Sequence, residues 1–212
     1  VGDDGVIGDD DGTGSGGSVV RGSEPRVLFV CTANRIRSPL AAALFRRLAA
    51  ERAVAVAVDS AGFGPAGLPV LDRAAVVARE LGLDLAGHRS RTVDAAAVHD
   101  ADLVVGMEAD HLLRLVDLAP DRAGRVYRVR ELARLAEQRP APTAPTGAAV
   151  AAWPAALPHR DLAAALDPGL DVADPVGRPL RAFRRTASEL SAALTVVADA
   201  WFGPVGNREG GR

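Results

Sequence analysis

The stretch VLFVCTANRIRSPLAAALF, residues 27–45, constrains this chain more than any other. Val27 to Val30 form an unbroken apolar run rich in valine, the pattern of a strand covered on both faces. Leu40, Leu44, Phe45 and Leu48 then recur at helical spacing. Between them, Ser38-Pro39 reads as a helix start, with serine as N-cap and proline at the first helical position. Cys31 to Arg37 therefore make a tight loop from a strand's carboxyl end to a helix's amino end. Such a junction gathers unpaired backbone N–H groups and the positive end of the helix dipole, so it attracts anions.

The residue types in that loop suit phosphoryl transfer. A cysteine attacks only as the thiolate, and here the loop amides, the helix terminus and Arg37 all favour the anion. The planar guanidinium of Arg37 fits two phosphate oxygens. Backbone N–H groups of Thr32, Ala33, Asn34, Arg35 and Ile36 are placed to bind the others. Ser38 can donate to the thiolate and make it a better leaving group. Phosphoryl transfer needs positioning and charge stabilisation above all, and this loop offers both. The bland reading of a lone cysteine is a small buried hydrophobe.

The rest of the 212 residues alternates strands with helices. VAVAVDSAG reads as a strand through Asp59, followed by a helix over about Leu71 to Leu81 that Gly82 ends. ADLVVGM and EADHLLRLV read as a third strand and helix, and RVYRV as a short fourth strand. A last helix presents Phe183, Ala187, Leu190, Leu194, Val197 and Trp201 on one face. The alternation predicts an α/β fold with a parallel sheet covered on both faces, its site beyond the carboxyl ends of the strands. The expected domain spans 25–204, with a Gly/Asp/Ser-rich disordered tail over 1–24 and a flexible tail over 205–212. Proline and alanine dominate about 137–170, which reads as a surface insertion with a short helix near Asp161 to Leu166.

A net charge of −2 gives no reason to expect a nucleic-acid partner, and no apolar run is long enough to suggest a membrane partner. The single cysteine cannot form an internal disulfide, and a cytoplasmic protein is expected. His99, His111 and His159 lack metal-ligand spacing; no metal or cofactor is expected.

VLFVCTANRIRSP resembles the phosphate-binding loop of the low-molecular-weight protein tyrosine phosphatase family. DSAGF (59–63), GLDLAGHRSR (82–91) and DLVVGME (102–108) resemble further family segments in the same order. The resemblance implies a four-stranded parallel sheet flanked by helices. It also implies hydrolysis of a phosphotyrosyl protein or a related small phosphate ester through a phosphocysteine at Cys31. The family's general acid comes from a late Asp-Pro pair. Two are present, and Asp174-Pro175 has the family's spacing to Phe183, whereas Asp167-Pro168 lies in the insertion and fits a simple turn. Asn34, Ser60 and His88 match positions that support the loop by hydrogen bonds, Asn34 tolerating a left-handed backbone.

Ala33 stands where the family pattern has glycine, which strains the loop if that position needs a glycine backbone. Ile36 stands where many members carry a second cysteine, and Arg35 where related arginine-phosphate phosphatases carry threonine. Of the two aromatic pocket walls usual in phosphotyrosine-directed members, Phe63 could supply one ring, and Val176 occupies the other position. The alternatives are a phosphate-binding module of the same fold with little turnover and a small-molecule phosphatase. An oxyanion reductase would need an external resolving thiol.

Overall fold

A computed structural model of the chain describes residues 24–139, 147–158 and 166–205. The tails expected over 1–24 and 205–212 and the helix expected near Asp161 to Leu166 lie outside these residues, but for one edge residue each. Strands β1 (Arg26–Cys31), β2 (Ala57–Gly62), β3 (Leu103–Gly106) and β4 (Val126–Arg128) pair in parallel in the order β2-β1-β3-β4. The chain moves to one side of β1 for β2 and to the other for β3. The carboxyl end of β1 is thus the switch point at which open α/β sheets form their binding crevice.

The apolar run of β1 is continuous because both faces are covered. Val27, Phe29 and Cys31 point into one core with α1 (Arg37–Glu51) and the long carboxy-terminal helix. Leu28 and Val30 point into a second core with Val98, Leu112 and Leu115. Those three belong to α3 (Ala95–Asp100) and α4 (Ala109–Leu118). The predicted α2 is observed as Asp72–Glu80, and Gly82 follows it with φ +70°, the left-handed stop glycine allows. Helix α5 (Val129–Glu137), α6 (Gly147–Ala152) and α7 (Leu180–Phe202) complete the named elements.

The structure revises several expectations. β2 runs through Gly62 rather than ending at Asp59, because Ser60 to Gly62 pair with Phe29 to Cys31. Ser38 is not the N-cap of α1: the helix already begins at Arg37 behind Ile36, and the Ser38 hydroxyl turns toward Cys31 instead. The Pro/Ala-rich segment is not wholly a surface feature. Val150 and Trp153 are buried, Trp153 stacks on Trp201 with centroids 4.7 Å apart, and Trp201 Nε1 donates to Val150 O at 2.8 Å. A flat ring that needs cover and an indole N–H that needs an acceptor together dock the segment on α7.

Candidate active site

The loop after β1 is held in shape by Asn34. Its φ of +53° puts it in the left-handed region that asparagine tolerates. Its side chain donates to Ser38 Oγ and Ser60 Oγ, each at 2.9 Å, and accepts from Arg91 N at 2.9 Å. Its carbonyl accepts from His88 Nε2 at 2.8 Å. Ser60 and His88 both bond to Asn34, so the three form one connected group of hydrogen bonds. Ala33 has no positive φ, so alanine there carries no left-handed strain. The glycine the loop does require is Gly62: a Cβ on it would lie 2.6 Å from Asn34 N and 2.8 Å from Cys31 O.

Cys31 Sγ is buried 3.0 Å from Ser38 Oγ. The Ser38 hydroxyl has one proton and a second acceptor, Ala61 O, at 3.1 Å. With a protonated thiol, sulfur can donate to Ser38, which donates on to Ala61. With a thiolate, the Ser38 proton must turn to sulfur. One hydroxyl thus serves both forms.

Arg37 is fully buried, and both of its Nη atoms are engaged by hydrogen bonds and ion pairs. Nη1 reaches Val172 O at 2.9 Å and Glu108 Oε2 at 2.8 Å. Nη2 reaches Thr32 Oγ1 at 3.0 Å and Asp174 Oδ2 at 2.6 Å. Nε is buried with no partner among the described residues. A buried donor left unpaired costs about 1–3 kcal/mol, so this edge of the guanidinium suits an anion.

His111 completes the arrangement from the start of α4. The Glu108 N–H donates to its Nδ1 at 3.2 Å, so a neutral ring carries its proton on Nε2, which donates to Thr32 Oγ1 at 3.1 Å. Burial, then the charge of Arg37, pushes the imidazole down to about 4, which keeps it neutral. Thr32 Oγ1 accepts from both His111 and Arg37, which leaves its own proton free to donate.

Asp174 has Oδ2 on Arg37 and Oδ1 accepting from Val176 N at 3.0 Å. Asp167 instead caps its own turn, accepting from Gly169 N at 2.8 Å. The Asp174 segment is anchored by buried Arg128, whose Nη1 meets Asp171 Oδ1 at 2.7 Å and Asp167 O at 2.8 Å. Arg35 folds back to donate from Nε to Pro69 O at 2.8 Å. Phe63 lies beside the loop, its N–H donating to Thr32 O at 2.8 Å. It stacks on His111 at 5.9 Å and carries the Arg114 guanidinium 3.7 Å from its centroid. Val176 is exposed. Glu108, His111 and Arg128 have no motif of their own; the one signal for the first two is their place in the family-like DLVVGME segment and the helix start after it.

The family model described as "Low molecular weight phosphotyrosine protein phosphatase" matches residues 26–140. The chain belongs to this family. It is 36% identical over 100 residues to the low molecular weight protein-tyrosine-phosphatase Etp of Escherichia coli, covering 47% of this chain and 65% of that protein. It is 37% identical over 101 residues to Wzb of the same organism, covering 47% and 66%. The matched part thus spans just under two thirds of these relatives. Among solved structures, the low molecular weight protein tyrosine phosphatase of T. tengcongensis superposes with a TM-score of 0.62 at 28% identity, covering 82% of this chain and 97% of that one. The YwlE arginine phosphatase of Geobacillus stearothermophilus gives 0.61 at 26%, covering 82% and 91%. At 82% of this chain, these similarities extend beyond residue 140, where the family model ends.

Proposed function

We propose that the chain is a cysteine-dependent protein-tyrosine phosphatase working through a phosphocysteine. The observation that carries this reading is buried Arg37 at the end of the loop that begins at Cys31, its Nε without a partner among the described residues and its Nη2 on the carboxylate of Asp174. The phosphate of the substrate sits on the amides of residues 32–37 and on the Nε edge of Arg37. Its oxygens compete with Asp174 for Nη2, and a displaced Asp174 can reach the leaving oxygen. The thiolate attacks phosphorus, the bond to the tyrosyl oxygen breaks, and Asp174 protonates that oxygen. Water then attacks phosphorus and gives its proton to Asp174. Sulfur leaves as the thiolate, stabilised by the Ser38 hydroxyl.

The relatives' names and the fixed ring of Phe63 support a phosphotyrosyl protein as substrate, with small aryl phosphates turned over as well. A phosphoarginine substrate is not favoured, since Arg35 puts a like charge in the loop. Dependence on a free thiol suits a reducing compartment, and we place the protein in the cytoplasm. Among the described residues no helix is long and apolar enough to cross a membrane.

Asp174→Asn tests the assignment of roles. With an activated phenol as leaving group the first step needs little proton donation. With a phosphotyrosyl peptide the loss in kcat should approach the roughly 10²–10⁴-fold worth of a general acid. Asp167→Asn should leave both substrates nearly unchanged. A damaging Asp167→Asn with a silent Asp174→Asn would overturn the assignment, and tight phosphopeptide binding without turnover by the unaltered chain would make it a binding module.

A further inference from the structure

A groove of about 380 Å³ opens beside the Asp174 segment, lined by Asp174, Arg130, Arg178, Arg185 and Glu189 among others. Its basic residues come from three places: the start of α5, the turn after Asp174, and α7. The carboxylates along it are already committed. Asp171 Oδ1 is held by Arg128 at 2.7 Å and Ala109 N at 2.9 Å. Asp174 is held by Arg37, and Glu189 by Arg185 at 2.8 Å. Arg130 and Arg178 are exposed. The Arg130 guanidinium makes one long contact, to Asp171 O at 3.3 Å, and the Arg178 side chain has no partner among the described residues.

We infer that this groove is an anion subsite for the same substrate. It would take a carboxylate or a second phosphate on the chain flanking the scissile phosphotyrosine. The inference rests on the phosphatase reading for its choice of substrate. Its physical basis is that two guanidiniums with little to hold stand next to the carboxylate that faces the leaving oxygen. A flanking anion bound there also lies over the Asp174 segment. Arg35, by contrast, spends its Nε on a backbone carbonyl.

Three phosphotyrosyl peptides test this: one with neutral flanks, one with glutamates, one with a second phosphotyrosine. kcat/KM is measured for the unaltered chain and for an Arg130→Gln/Arg178→Gln double variant. Binding of the same peptides to chains that also carry Cys31→Ser is measured in parallel. The expected result is a preference for anionic flanks of about three- to tenfold, the scale of two exposed charge pairs. It should fade at high salt and vanish in the double variant, while turnover of a small aryl phosphate stays unchanged. A larger gain from the second phosphate than from glutamate assigns the subsite to phosphate; equal gains assign it to carboxylates. Absence of any preference, or its survival in the double variant, would overturn the inference. The two readings separate cleanly. Aryl phosphate turnover without flank preference rejects the groove alone. Flank-dependent binding without aryl phosphate turnover rejects the phosphatase reading alone.

Discussion

His111 shows how a fold can set the protonation of one buried side chain. Its ring accepts from Glu108 N–H and donates to Thr32, and Thr32 in turn accepts from Arg37. A proton on Nδ1 would break the first of these contacts and place a cation beside Arg37. The fold accordingly holds the imidazole at about 4, below its ordinary 6.5. The sign of the linkage follows. Above about pH 6.5 the ring is neutral in both the folded and the unfolded chain and adds no pH dependence. Between about 6.5 and 4 only the unfolded chain takes up the proton, so stability falls as pH falls. The size is about 2 kcal/mol by pH 5 and about 3 kcal/mol by pH 4. His111→Gln removes the titrating group. Urea-denaturation curves at pH 7 and pH 5 should therefore show a smaller acid-induced loss for the variant than for the unaltered chain. Parallel losses would mean that His111 is not held neutral by the fold.

At the scale of elements, the segment carrying Trp153 is an addition that has become part of the core. Trp153 stacks on Trp201, and Arg139 lies over the same indole and donates to Ala156 O. Trp153→Ala removes a large buried ring and should cost about 3–5 kcal/mol. Turnover of a small aryl phosphate should change little, since the ring touches none of the site residues. A thermal shift well below that cost would mean the segment is not packed on α7 in solution. That docking was illegible in a Pro/Ala-rich stretch because two scattered apolar residues give no period. The β1–loop–α1 unit was legible because all its signals are local: an apolar run, a nucleophile, an arginine and a helix start within about twenty residues. Its one misreading, Ser38 as cap, arose because a serine at a helix start serves a cap and a thiol partner equally well. Helix α5 escaped notice because Val129 continues the strand pattern of RVYRV with no loop residue between. Asp94, which caps α3 by accepting from Ala97 N at 2.8 Å, was the available sign of that short helix. Glu108 and His111 were not legible as site residues, since their partners lie more than seventy positions away.

Across the whole molecule, the site exists only when distant parts of the chain meet. Arg37 joins the amino-terminal loop to Glu108 at the start of α4 and to Val172 and Asp174 before α7. Arg128, at the end of β4, holds the Asp174 segment from below through Asp171. The parallel sheet brings these elements to one edge because β1, β3 and β4 all end there. In the proposed function, this meeting makes Cys31 a nucleophile that carries phosphate. Asp174→Asn gives the most direct view of it. With an activated aryl phosphate the first step proceeds without the acid, while the second lacks the base that takes the proton from water, so the intermediate accumulates. Acid quenching within the first turnovers, followed by peptide mass mapping, should find one phosphate on Cys31 and none in a chain with Cys31→Ala, which should also be inactive. Undiminished turnover by Cys31→Ala, or phosphate found only on another residue, would contradict the account.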